Sequence, residues 1–114
     1  MTENFDETVE VKNIDGRDVE VHTKGQNWFD CSVGTNGYHG GDSGHGGRAY
    51  FRLGNIDCDG FVVNEIYKKD MYNNKTLTGI EFQMGGDLEI RSFIKSLEYA
   101  VSVLKSQVGN EQNN

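Results

Sequence analysis

The segment Asp87-Leu-Glu-Ile-Arg-Ser-Phe-Ile-Lys-Ser-Leu-Glu-Tyr-Ala-Val-Ser-Val-Leu-Lys-Ser-Gln-Val108 decides the fold. Ile90, Ile94, Leu97, Val101, Leu104 and Val108 recur at spacings of 4-3-4-3-4, and Phe93 and Ala100 widen the stripe. This period predicts an amphipathic helix of ~20 residues, ~30 Å long. Asp87 after Gly85-Gly86 reads as its N-cap, Glu89 suits the positive helix end, and Gly109 reads as its C′ residue. The stripe is expected to pack on a sheet, although its heptad regularity also suits pairing with a second copy.

Upstream, the apolar period changes from 3.6 to 2. Val9 and Val11 alternate with Glu10 and Lys12, and Val19 and Val21 alternate with Asp18, Glu20 and His22. Asp15-Gly16 between them is a two-residue hairpin signal. Asn27 to Val33 predicts a third strand with Phe29, Cys31 and Val33 inward and Trp28 on the other face. Further strands are expected over Arg48–Leu53, Phe61–Tyr67 and Ile80–Met84, with a polar connection over Lys68–Thr78. The expectation is a single α+β domain over 1–114, with loose tails at 1–6 and 110–114. An antiparallel sheet of about six short strands packs against one long C-terminal helix.

Composition narrows the function. Acidic residues number 18 against 11 basic, for a formal charge of −7, which disfavours coating nucleic acid or an anionic membrane. No apolar run approaches the ~18 residues of a membrane helix. The acidic opening residues do not read as a leader, so a cytoplasmic protein is expected. Cys31 and Cys58 are too few for a disulfide scaffold or a four-cysteine zinc module, and read as buried apolar residues in a reducing compartment.

The 114 residues include 15 glycines and no proline. Seven of those glycines fall between Gly34 and Gly47. Such a stretch is neither helix nor regular strand, and long loops in small domains are usually functional or disordered. Glycines let main-chain N–H groups converge and let a ligand approach the backbone. Cys31 to Ile56 carries Asp42 against Arg48 and Arg52, whereas residues 1–30 hold eight acidic and three basic residues. The expected ligand is therefore a small phosphate-bearing anion, with Arg48 adding bidentate recognition. The candidate binding residues are Asn36, Tyr38, His39, Gly40, Gly41, Ser43, His45, Gly46, Gly47 and Arg48, with Trp28 beside them. Tyr38 and Trp28 are the candidate base stackers. Arg91, one turn into the helix, is a second anion-friendly position, although a solvated arginine is the plainer reading.

The loop matches neither the P-loop nor the dinucleotide fingerprint, since no lysine or helix follows Gly47 and no βαβ unit surrounds it. A metal held by His39, Asp42 and His45 has atypical spacing. Pairing Ser43 with His45, or Asp42 with His39, for catalysis asks neighbours on one loop to reach triad geometry. No cofactor, metal or catalytic residue is assigned.

The run from Gly37 to Phe51, with Met84-Gly-Gly-Asp-Leu-Glu89 opening the helix, resembles short proteins encoded by phages and prophages of Gram-positive bacteria. In size and layout the chain is also similar to viral sponge proteins that sequester nucleotide signals of bacterial immunity such as Thoeris and CBASS. That resemblance implies a homo-oligomeric, non-enzymatic nucleotide-binding protein, acting in immune evasion in the host bacterial cytoplasm, with a cyclic or ADP-ribose-type ligand. The homodimer would form through the helix seam or a sheet edge. Two rival readings are an acidic inhibitor of a host defence enzyme and a small His-dependent hydrolase.

Overall fold

The structure is a computed structural model that describes residues 7–41, 45–56 and 60–112. Six strands precede one helix: β1 (Thr8–Ile14), β2 (Arg17–Gln26), β3 (Phe29–Thr35), β4 (Ala49–Asn55), β5 (Val62–Lys69), β6 (Lys75–Gln83) and α1 (Asp87–Gln112). All strand pairs are antiparallel, and the fold is α+β. The strands divide into a four-stranded meander, β1-β2-β3-β4, and a separate β5–β6 hairpin.

Turn chemistry sets the joints. Asp15 and Gly16 both take positive φ, 50° and 88°, the geometry that matches the right-handed twist of β1 and β2. Asn27, at φ 70°, turns β2 into β3. In the β5–β6 turn the Asp70 carboxylate accepts from the main-chain N–H of Tyr72 and Asn74, at 2.8 and 2.9 Å. β6 begins at Lys75, so the polar connection expected over Lys68–Thr78 is mostly strand.

Phe29, Cys31 and Val33 are fully buried on the face of β3 that meets α1, as their alternation predicts. Val19 and Val21 are buried on the opposite face of the meander, where Lys12 Nζ lies 5.4 Å from the Tyr50 ring centre. The helix differs from the sequence reading in two respects. It continues through Gly109 to Gln112, because a glycine permits a C-cap without compelling one. It also turns the expected stripe partly away from the sheet, keeping Phe93, Ala100 and Leu104 of that stripe against it. Ser92, Ser96 and Ala100, spaced four apart, are the residues buried against β3. Ile90 (46%), Ile94 (47%), Leu97 (41%) and Val101 (49%) stay exposed.

Small side chains explain the rotation. They let α1 approach a sheet face already filled by Phe29, and their hydroxyls close the polar contacts that burial demands. Ser92 Oγ donates to the Gln26 carbonyl and accepts from the Phe29 N–H, while Ser96 Oγ donates to the Ser92 carbonyl at 3.0 Å. Gln107 closes the far end, its Oε1 accepting from Thr35 N at 2.8 Å and its Nε2 donating to the Glu20 carbonyl at 2.9 Å.

Candidate functional site

The glycine-rich segment is a loop drawn shut at its neck. Asn36 N donates to the Arg48 carbonyl at 3.2 Å, and Arg48 N donates back to Asn36 Oδ1 at 2.7 Å. Thr35 Oγ1 adds a donor to the same carbonyl at 2.6 Å and accepts from Gly37 N. The two strands of the neck touch at glycines: a Cβ built on Gly47 would stand 1.7 Å from the Gly37 carbonyl oxygen. Gly37 also takes φ 90°, so these two glycines have a packing reason that requires no ligand.

Arg48 completes the closure rather than offering a free fork. Its side chain is only 9% exposed. Nη1 donates to the Gly46 carbonyl at 2.8 Å, Nε and Nη2 donate to the Asp15 carbonyl at 3.2 and 3.1 Å, and the Asp15 carboxylate lies 3.7 Å from Nε. Arg17 Nη2 reaches the His45 carbonyl at 3.4 Å from the same turn. The guanidinium expected to grip phosphate thus ties the loop to the β1–β2 turn, because clustered carbonyls are the nearest acceptors for a cation so little exposed.

The other loop candidates are divided between neck and surface. Asn36 and Gly46 serve the neck, whereas Tyr38 (70%), His39, Gly40, Gly41 and His45 are exposed. His39 Nε2 donates to the Asn36 carbonyl at 2.8 Å. Ser43, with Asp42 of the metal and catalytic alternatives, lies outside the described residues. No group of three or more His, Cys, Asp or Glu side chains able to hold a metal occurs among the described residues.

Trp28 stands apart from the loop. It occupies the β2–β3 turn rather than a strand face, and its carbonyl accepts from Ile56 N at 2.8 Å. There it lines a half-open cavity of about 560 Å³ with Asn27, Ile56, Leu88, Arg91, Ser92 and Lys95. Arg91 and Lys95, four apart on α1, share one side of the helix. Neither has an ion-pair partner among the described residues. The cavity thus joins an aromatic plate, two apolar side chains and two cations. Arg91 carries the sequence signal of a cation following Gly-Gly-Asp. Lys95, Ile56 and Leu88 carry none that singles them out, because three distant segments meet only in the fold.

A second, smaller cavity of about 270 Å³ lies across α1 from the aliphatic row, lined in part by Glu7, His22, Tyr99 and Gln107. His22 Nε2 is 2.8 Å from Glu20 Oε2, and its Nδ1 is 3.3 Å from Glu7 Oε2. The Tyr99 hydroxyl donates to Glu7 and holds that carboxylate below its ordinary value of 4.5, with burial opposing and His22 adding to the effect.

No protein-family model, curated protein or solved structure matches the chain. No helix among the described residues is long and apolar enough to cross a membrane.

Proposed function

We propose that the protein binds a small phosphate-bearing ligand with an aromatic base, a nucleotide by its chemistry, and holds it without transforming it. The cleft between the β2–β3 turn and α1 receives it. The carrying observation is the convergence of Trp28, Arg91 and Lys95 on one half-open cavity. Its volume falls within the ~300–1,000 Å³ of small-molecule sites. Trp28 supplies a stacking face, Ile56 and Leu88 an apolar bed, and Arg91 and Lys95 the countercharge for phosphate. A guanidinium beside an ammonium suits a phosphodiester or pyrophosphate better than a lone carboxylate. The sponge-like role, sequestering a nucleotide signal of antiviral immunity, rests on the resemblance in size and layout.

Trp28 is the sole tryptophan, so its emission reports the cleft directly. Titration with cyclic nucleotides, ADP-ribose and inorganic phosphate is expected to quench or shift that emission for the base-bearing compounds. Arg91→Ala and Lys95→Ala each weaken binding by about tenfold, the worth of one charge-assisted contact. Bound ligand recovered after heat denaturation is chemically unchanged. Emission indifferent to every nucleotide at millimolar concentration refutes the proposal, as does equal affinity in the Arg91→Ala, Lys95→Ala double variant.

A further inference from the structure

Among the described residues two apolar surfaces are left uncovered, and they complement each other. The first runs along the outer flank of α1. Tyr99, Ser102 and Ser106 face Glu7 and His22 on the β1/β2 side. At ~100° per residue, Ile90, Ile94, Leu97 and Val101 therefore lie on the opposite flank, toward β4. β4 is the edge of the meander, with no strand on its outer side among the described residues. Phe51 and Leu53 stand opposite Val33 and Cys31 in the ladder and so belong to the helix-bearing face, yet Phe51 is exposed whereas Val33 is buried. The helix flank and the apolar side chains of the edge strand therefore lie on the same side of the sheet.

The second surface is the hairpin. Its register sets Val63 opposite Phe82, Glu65 opposite Ile80 and, past a bulge at Ile66/Tyr67, Tyr67 opposite Leu77. One face therefore carries Val63, Tyr67, Leu77 and Ile80, which are 42%, 48%, 56% and 55% exposed, together with Glu65, whose carboxylate accepts from the Tyr67 hydroxyl at 2.6 Å. The chain grips the hairpin at its base, where the Phe82 ring lies 6.1 Å from that of Phe61, itself 5.2 Å from that of Phe29. Every residue of β5 is exposed. An isolated two-stranded hairpin is marginal in water and gains stability by joining a larger sheet.

We propose that a second copy of the chain covers these surfaces by reciprocal exchange. The β5–β6 hairpin of one protomer adds to the free β4 edge of its partner and lays its apolar face beneath the partner's α1 flank, about a two-fold axis. Strand lengths agree, at seven residues for β4, eight for β5 and nine for β6. Each exchange contributes main-chain hydrogen bonds as well as apolar burial. Made twice, the contact doubles the area buried, in the direction of the ~1,200–2,000 Å² that a specific interface needs. The assembly is independent of the ligand-binding reading, since Arg91 and Lys95 point away from this flank of α1.

Sedimentation of the full chain at micromolar concentration is expected to give the mass of two copies. Leu97→Glu on the helix and Ile80→Glu on the hairpin each alter an exposed side chain. Each is expected to keep a native far-UV spectrum and weaken self-association by at least ~30-fold. The distinguishing result is complementation. A mixture of the two variants, one isotope-labelled, retains one intact helix–hairpin contact and forms mixed pairs seen by native mass spectrometry. A helix-to-helix dimer recovers nothing on mixing, because one helix of every mixed pair carries the glutamate. A single-copy mass for the unmodified chain overturns the proposal, as do self-association indifferent to Ile80→Glu and a mixture without mixed pairs.

Discussion

Arg48→Ala separates a guanidinium that builds the fold from one that meets a ligand. In the structure, Arg48 holds the Gly46 carbonyl at 2.8 Å and the Asp15 carbonyl at 3.1 and 3.2 Å, with the Asp15 carboxylate at 3.7 Å. Hydrogen bonds involving a charged group contribute ~1.5–3 kcal/mol each. The paired donors on Asp15 share one acceptor, and the exposed carboxylate adds little through water. Counting one contact to Gly46 and one shared contact to Asp15, the substitution removes about 3 kcal/mol. For a chain of this length that lowers the Tm by roughly 10–15 °C. Thermal melts followed by far-UV circular dichroism measure it, and urea melts followed by Trp28 emission give an independent value. Arg48→Lys keeps the charge but loses the planar fork, and falls between wild type and alanine. A Tm for Arg48→Ala within ~2 °C of wild type, with nucleotide binding abolished, refutes this assignment and returns Arg48 to the ligand.

Four further outcomes follow from the structure. Gly47→Ala forces the neck open, because the new methyl would sit 1.7 Å from the Gly37 carbonyl oxygen, and costs about 2 kcal/mol or more in urea melts. Gly85→Ala, with nothing within 4 Å, is the control and should be neutral or slightly stabilising. Glu7 ionises more readily in the folded chain than in the unfolded one, chiefly because of the Tyr99 hydroxyl, so its contribution is complete above the ordinary value of 4.5 and fades as the pH falls through the lower folded value. Glu7→Gln should flatten the Tm–pH curve in that acid window, and an unchanged slope counts against the Tyr99–Glu7 contact. Burial, with the charge of Asp30 adding, pushes the Cys31 thiol up to about 11, leaving ~0.1% thiolate at pH 8. Iodoacetamide should label Cys31 only after unfolding, as peptide mass mapping will report; rapid labelling of the folded chain contradicts its burial.

Much of the secondary structure is legible along the chain. The spacing of Ile90, Ile94, Leu97 and Val101 announces a helix. Asp15-Gly16 announces a hairpin, and the alternation of Phe29, Cys31 and Val33 names the inward side of β3. The same helical spacing misdirects once its use is asked. Large aliphatic residues mark a face that avoids water, and within one chain the sheet is the obvious cover. The sheet instead takes Ser92, Ser96 and Ala100 at closest approach, with Phe93, Val103 and Leu104 packed beside them, because a face occupied by Phe29 lets the helix come near only where its side chains are small. Likewise, glycines around a lone arginine read as an anion cradle. Only the fold brings Asp15 beneath Arg48 and Gly37 against Gly47.

By itself the sequence determines periods, turns and the side of each strand that turns inward, since these depend on dihedral preferences and on neighbours a few residues away. Tertiary structure alone decides that Arg48 is consumed by the loop it closes. It also decides that Trp28, Ile56 and the first turns of α1 surround one cavity, and that the aliphatic row of the helix faces outward. Those outcomes depend on which distant surfaces come within reach and how much volume lies between them, and no local pattern encodes either quantity.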